Sequence, residues 1–362
     1  MKFFGFHLMP YPYLPESHVS GGDSSWVTLS NAHFDPERGH ELYQRYLREL
    51  VYYDAMGFDG ICVNEHHQTA YGLMPSPNVT AALLVPQTKG KIAILGNALP
   101  LRDHPMRVAE EIAMLDQLSH GRLDVGVGKG SSPHELAMYG LDPVGAASRF
   151  EAAVPAVLEA LETGRFGDVE LSVPVYQRPH PPLWYPTSNP ASIPRLGDQG
   201  YNVLFGFGFV SPPLDVVREQ SDTFFARFRA SDARGEARCS LPGRPPRFGV
   251  MRHVLVAPTD DEARALAKAA FADHYESFAH LWRAHGDDRF STAPDLDQLV
   301  DENRVFVGSP STVAAQAAEA VTGGALNYLA CAFAWGSSDV ESVLRSLRLF
   351  RDEVAPAVRA AS

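Results

Sequence analysis

Short apolar runs alternate with stretches of helical period from one end of the chain to the other. The runs fall at residues 3–9, 58–64, 91–97, 123–127, 183–187, 202–205, 248–256 and 326–332. Apolar runs of this length, bounded by turn-forming residues, read as strands buried on both faces. Between them lie amphipathic stretches that predict helices over 39–56, 78–88, 106–119, 149–163, 190–198, 214–230, 260–285, 311–321 and 339–359. Thr259 with Asp260, Asp261 and Glu262, and Pro310-Ser311-Thr312, supply helix-start signals. Gly57, Gly121, Gly164 and Gly200 each follow a helical run, as carboxyl-terminal caps do.

Strands and helices in strict alternation indicate a parallel α/β fold. Eight strands predict a (β/α)8 TIM barrel, with residues 1–362 read as a single domain. Three segments exceed the basic unit: 11–38, 166–182 and 286–307. Loops after barrel strands build the active-site face, so the first segment and the region after strand seven are predicted loop insertions and lids there.

Composition narrows the function. With 31 Lys and Arg against 43 Asp and Glu, the formal charge of -12 offers no footprint for a nucleic-acid backbone or an anionic membrane surface. Cys62, Cys239 and Cys331 form no metal-binding pair, and an odd number of cysteines suits reduced thiols. The first residues lack a signal-peptide pattern, no run approaches the ~20 apolar residues of a membrane span, and a cytoplasmic protein is expected.

Candidate chemistry gathers at strand ends. Asn64-Glu65-His66-His67 closes the second strand, where polar residues replace the apolar pattern as the chain emerges. Neighbours on a strand point in opposite directions, so Asn64 and His66 share one side, Glu65 and His67 the other, and one histidine faces the pocket. A lone histidine here reads as core or rim packing; the polar cluster at a strand end reads as function. Adjacent strand residues diverge and no HExxH helix completes a shell, so no metal is expected.

Gly126-Val127-Gly128-Lys129-Gly130-Ser131-Ser132 follows strand four and matches neither GxGxxG nor a P-loop. It is either a close-approach loop whose Lys129 pairs with a phosphate, or a turn with a solvated lysine. Thr187-Ser188-Asn189-Pro190-Ala191-Ser192 follows strand five and opens a helix, which suits either an anion or plain capping. There is no GxSxG elbow and no catalytic cysteine signature.

Further motifs fall in a fixed order after the histidine cluster: Leu95-Gly96-Asn97-Ala98-Leu99-Pro100-Leu101, His104-Pro105, Ala109-Glu110-Glu111-Ile112-Ala113-Met114-Leu115-Asp116 and Ser119-His120-Gly121-Arg122-Leu123. Together they resemble the bacterial luciferase-like monooxygenase family of flavin-dependent barrel enzymes, strongly over 58–130 and more weakly along nearly the whole chain. The resemblance implies reduced FMN taken from a separate flavin reductase, reaction with dioxygen to a flavin hydroperoxide, and transfer of one oxygen atom to a small organic substrate. It also implies a dimer, here a homodimer.

By motif position, the resemblance makes His66 the catalytic histidine and Glu65 its supporting carboxylate. Gly96-Asn97 falls where the family carries a non-prolyl cis peptide beneath the flavin. Lys129 falls where the luciferase α chain has a phosphate-binding arginine, and Ser188, Asn189, Ala191 and Ser192 fall on the phosphate loop. The chain departs from luciferase at Ser188 and Asn189, where luciferase has glutamate and serine, and in segment 11–38 with Trp26 and Asn31. Trp26, Tyr71 and Phe207 are aromatic candidates for a substrate pocket, or packing residues. Two alternatives remain: a deazaflavin-dependent hydride-transfer oxidoreductase of the same superfamily, and a non-catalytic flavin-binding subunit.

Overall fold

All eight apolar runs form strands, here numbered as barrel staves. They are β1 Lys2–Phe6, β2 Gly60–Val63, β3 Lys91–Ala98, β4 Leu123–Gly128, β5 Leu183–Thr187, β6 Asn202–Phe207, β7 Phe248–Val256 and β8 Tyr328–Ala332. The structure is a computed structural model and describes residues 1–14, 30–130, 133–284, 291–336 and 338–361. Each stave pairs in parallel with the next, and β8 returns to β1 through Lys2 opposite Tyr328 and Gly5 opposite Cys331, so the barrel closes.

Closure leaves none of the eight staves as a free edge and gives them two buried faces. The inner face carries Phe4, Phe6, Leu8, Cys62, Ala93, Leu95, Trp184, Leu204, Met251, Tyr328, Ala330 and Ala332. Trp184 packs on Tyr328 with ring centroids 4.4 Å apart, and alanines opposite these large rings let the layers interdigitate. Burying each such large side chain contributes roughly 1.5–3 kcal/mol. The lumen is therefore filled, and a ligand must sit at an end of the barrel.

At the amino-terminal end, Asp124 accepts from Trp184 Nε1 at 3.1 Å and pairs with Lys91 at 3.2 Å. Burial nevertheless pushes the Asp124 carboxyl up. A cavity of about 480 Å³ opens there beside Arg244 and Arg247. A second, of about 560 Å³, lies outside the barrel beside Arg45, Arg48 and Leu344.

Helix boundaries follow caps that the apolar periodicity does not display. The helix predicted from residue 39 starts at Pro36 because Asp35 accepts from the amides of Glu37 and Arg38. The helix predicted from 149 spans Pro143–Thr163, capped by Asp142 and closed by left-handed Gly164. Ser309, one residue before Pro310, caps Pro310–Gly323. The stretch predicted as one helix over 339–359 is interrupted: Val340–Leu349 opens into a π-helical turn at Phe350–Val354 before Ala355–Ala360. Pro356 has no N–H for the normal ladder there, so the turn widens.

Several elements have no counterpart in the sequence reading, among them the short helices Pro133–Met138 and Leu296–Asp301. A hairpin joins Arg165–Phe166 to Val169–Glu170 inside the segment before β5. Phe306–Gly308 adds a short parallel strand against Val254–Val256 of β7. Trp26 and Ser131–Ser132 lie outside the described residues. Among the described residues no helix is long and apolar enough to cross a membrane.

Candidate active site

The carboxyl ends of β2 to β5 are consecutive around the barrel, so His66, Gly96, Asn97, Lys129 and the segment Ser188–Ser192 emerge on one face. Hydrogen bonds from one backbone amide and one side-chain amide fix the exit of β2. The His66 amide donates to Met74 O at 3.1 Å, and Asn64 Nδ2 donates to His7 O at 2.7 Å. The alternation expected from strand geometry holds, with Glu65 and His67 on one side and His66 on the other.

Glu65 serves His67, not His66, which corrects the support expected of it. His67 Nε2 donates to Glu65 Oε1 at 2.8 Å, and the Tyr139 hydroxyl lies 3.1 Å from His67 Nδ1. Glu65 Oε2 accepts from the Ala98 amide at 2.9 Å and from Arg102 at 3.0 Å. One buried carboxylate thus ties the exits of β2 and β3 together. A carboxylate accepts only, and this one has three donors arranged around its two oxygens.

The carboxylate that faces His66 is Glu135, which sequence reasoning missed. Its Oε1 stands 3.6 Å from His66 Nδ1 and accepts the His67 amide at 2.8 Å. Burial alone raises the Glu135 carboxyl. The neighbouring His66 imidazole and the hydrogen bond from the His67 amide reverse this and hold it below its usual range. It is therefore ionised at neutral pH. The available signal was an acidic residue in the first turn of Pro133–Met138, just past the glycine-rich exit of β4. On its other side the His66 ring meets Tyr71 edge-on, centroids 5.2 Å apart.

Another buried pair was also missed. His7 Nδ1 accepts the Met9 amide at 2.9 Å, so Nε2 carries the proton and donates to Glu49 at 2.7 Å, which Arg45 also binds at 2.6 Å. This network anchors the exit of β1 next to Asn64.

The floor between β3 and β4 is made by glycines. The non-prolyl cis peptide lies between Leu95 and Gly96, one bond earlier than the Gly96-Asn97 pair. The pairing register with β4 slips between Ile94 and Asn97. A Cβ on Gly126 would collide with the Ile94 carbonyl, and one on Gly96 would stand 3.2 Å from the Gly126 backbone. Only glycine lets the two strands approach so closely. Asn97 is fully buried, and neither atom of its side-chain amide has a partner. An orphaned buried amide is costly and fits a ligand with donors and acceptors along one edge, as an isoalloxazine has.

Extending the register of Val125 opposite Leu183 brings Lys129 off β4 level with Thr187 of β5. Lys129 Nζ lies over the Phe150 ring at 5.9 Å and is half-buried. In the β5 exit the capping chemistry is real: Thr187 Oγ1 accepts the Asn189 amide at 3.0 Å and Asn189 Oδ1 accepts the Ala191 amide at 3.1 Å. Ser188, Asn189 and Ala191 are exposed beside the cation. The donor set, one lysine with hydroxyls at a helix start, suits a phosphate.

The family model described as luciferase-like monooxygenase matches residues 24–327. An uncharacterized protein of Sinorhizobium fredii is 30% identical over 339 residues, 89% of this chain and 94% of its own. The oxygenase component of the flavin-dependent trigonelline monooxygenase of Acinetobacter baylyi is 25% identical over 243 residues, 64% of each chain. Among solved structures, the oxygenating constituent of 3,6-diketocamphane monooxygenase of Pseudomonas putida, in complex with FMN, has the same fold. Its TM-score is 0.72 at 20% identity, over 98% of both chains.

Proposed function

The chain belongs to the luciferase-like monooxygenase family, and we propose that it is the oxygenase of a two-component system, taking reduced FMN from a separate flavin reductase to oxygenate a small organic substrate. Reduced FMN would supply the electrons that split dioxygen, one oxygen atom going to the substrate and the other to water. Support for a separate reductase comes from the trigonelline relative, which is named an oxygenase component. Support for FMN comes from the diketocamphane enzyme's complex and from the donors at β4 and β5.

In this reading Lys129, Ser188, Asn189, Ala191 and Ser192 hold the phosphate, and Gly96 and Asn97 form the floor under the ring. His66 handles protons. Glu135 engages Nδ1 and orients the ring, so exchange with a ligand falls to Nε2. Glu65 is a positioning residue that keeps the ends of β2 and β3 in fixed relation. Two neighbouring helices, Pro77–Leu84 and Pro105–Leu118, expose Val79, Leu83, Met114 and Leu118, which supports a homodimer through that face. Three buried cysteines free of disulfides suit the cytoplasm.

The observation that carries the assignment is the His66–Glu135 pair beside the glycine floor. With reductase, FMN and substrate, His66→Ala is expected to keep the fold and continue to consume dioxygen, but to release hydrogen peroxide in place of oxygenated product. Full coupling in that variant would sink the role given to His66. Titration with reduced FMN and with a reduced deazaflavin separates the two cofactor readings, and tighter binding of the deazaflavin would overturn the FMN assignment.

A further inference from the structure

Of the described buried side chains outside the His66 site whose nitrogen atoms lack partners, three come together. They are His253 at Nδ1 and Nε2, His274 at Nε2 and Trp335 at Nε1. The three are 2%, 5% and 1% exposed. They form one group: the His253 ring lies 4.5 Å from His274 and 5.2 Å from Trp335. Buried polar groups in folded proteins are almost always satisfied, so a cluster of four unpartnered nitrogens calls for a ligand with complementary groups.

Its place in the barrel points to which ligand. His253 shares the inward parity of Met251 and lies toward the carboxyl end of β7, while Trp335 follows β8. His274 comes from the long helix Asp260–Ala284, which lays Phe271, His274, Tyr275 and Phe278 along one buried stripe. The turn after β6 completes the group. Gly208 has φ +55° and leaves room for the His253 imidazole, with which a Cβ there would collide, and Phe209 packs on His274 at 5.7 Å. Tyr71 joins the group to the reaction site, 5.7 Å from His274 and 5.2 Å from His66.

We infer that this group is the substrate compartment of the oxygenase, and that it accepts an uncharged molecule carrying a carbonyl or hydroxyl group. The inference rests on the monooxygenase reading for the reaction, but not for the binding. Trp335 Nε1 donates, neutral His253 offers one donor and one acceptor, and His274 Nε2 offers one or the other according to its tautomer, which suits a carbonyl or a hydroxyl oxygen. Burial keeps both imidazoles uncharged, that of His274 pushed down to about 4. The residues packed around them, Phe209, Phe271, Tyr275 and Phe278, are aromatic and carry no charge. Arg252 precedes His253 on β7 and so points to the other face of the strand, where it bonds to Asn303 O. Among the described residues Arg304 reaches the Phe209 carbonyl but is paired with Glu302, so a carboxylate or ammonium entering here would lose its hydration without gaining an unpaired counter-ion.

The test is calorimetric titration of the full chain without flavin, using 1-indanone, 1-indanol and indane-1-carboxylate as probes. The ketone and the alcohol should bind at least tenfold more tightly than the carboxylate. Trp335→Phe, which keeps a ring and removes the N–H, should weaken ketone binding at least fivefold and leave affinity for reduced FMN unchanged. His253→Gln serves as a second variant, with far-UV circular dichroism confirming its fold. Failure of the ketone and alcohol to bind, a carboxylate that binds equally well, or wild-type ketone affinity in both variants would overturn the inference. Loss of FMN binding by the wild-type chain with ketone binding intact would instead count against the flavin reading.

Discussion

His274 offers a direct measure of how dry the roof over the barrel mouth is. Burial pushes its imidazole from 6.5 down to about 4. Its titratable neighbours are Tyr71 from the β2 exit, His253 from β7 and Tyr275 on its own helix, with Phe209 packed from the β6 turn. Below 6.5 the unfolded chain binds a proton at this position and the folded chain does not, so stability falls as pH drops through the window between 6.5 and about 4. Each pH unit across that window costs about 1.4 kcal/mol. Between pH 7.5 and pH 5 the loss from this residue is therefore about 2 kcal/mol, a sizeable share of a typical folding free energy of ~5–15 kcal/mol. His253 is pushed down by burial and by His274, and it adds to the loss in the same direction. His274→Phe keeps a ring and removes the titration. Urea unfolding followed by circular dichroism at both pH values should show the variant gaining about 2 kcal/mol relative to the wild type on acidification. A gap between the two proteins that is the same at pH 7.5 and pH 5 would mean that His274 titrates in water, and the reasoning from burial would be wrong.

Other consequences are equally concrete. Glu65→Ala leaves the Ala98 amide and Arg102 without their acceptor and is expected to cost about 3 kcal/mol in urea unfolding; a cost under about 0.5 kcal/mol, typical of an exposed surface site, would contradict the clamp. Glu135→Gln should lower substrate-coupled oxygen uptake by roughly 10- to 100-fold while the fold persists, because a histidine loses the carboxylate that orients it. In Gly126→Ala the new Cβ meets the Ile94 carbonyl, so the strands must part. Thermal unfolding should fall and FMN affinity should weaken together. Val79→Lys combined with Met114→Lys places charges on the exposed apolar helix face and should yield monomers in sedimentation, where retained dimers would move the interface elsewhere.

Legibility in the sequence followed distance along the chain. The staves could be read because a buried parallel strand needs an unbroken apolar run, and all eight runs met that need. Phe306–Gly308 is too short to carry a pattern, and it exists only because the end of β7 offers a partner. The same limit hid Glu135. Nothing in Pro133-His134-Glu135 announces that it folds over His66 from the far end of a glycine-rich loop. Alternation along a strand already places residues 65 and 67 on one side, which is where the Glu65 carboxylate meets the His67 ring. The family motifs supplied the histidine, whereas only the fold supplied the carboxylate facing it.

Tyr71 has a consequence for anyone who would retarget this enzyme. Among the described ring contacts it alone touches both His66 and the aromatic stripe of the long helix, at His274 and Phe278. In the proposed reading, exchanges deeper in that stripe should alter which molecules are admitted and leave His66 and Glu135 as they are. If the proposed compartment holds, a change at Tyr71 should alter selectivity and turnover at once, so a library built around this mouth should hold residue 71 constant first and vary it last.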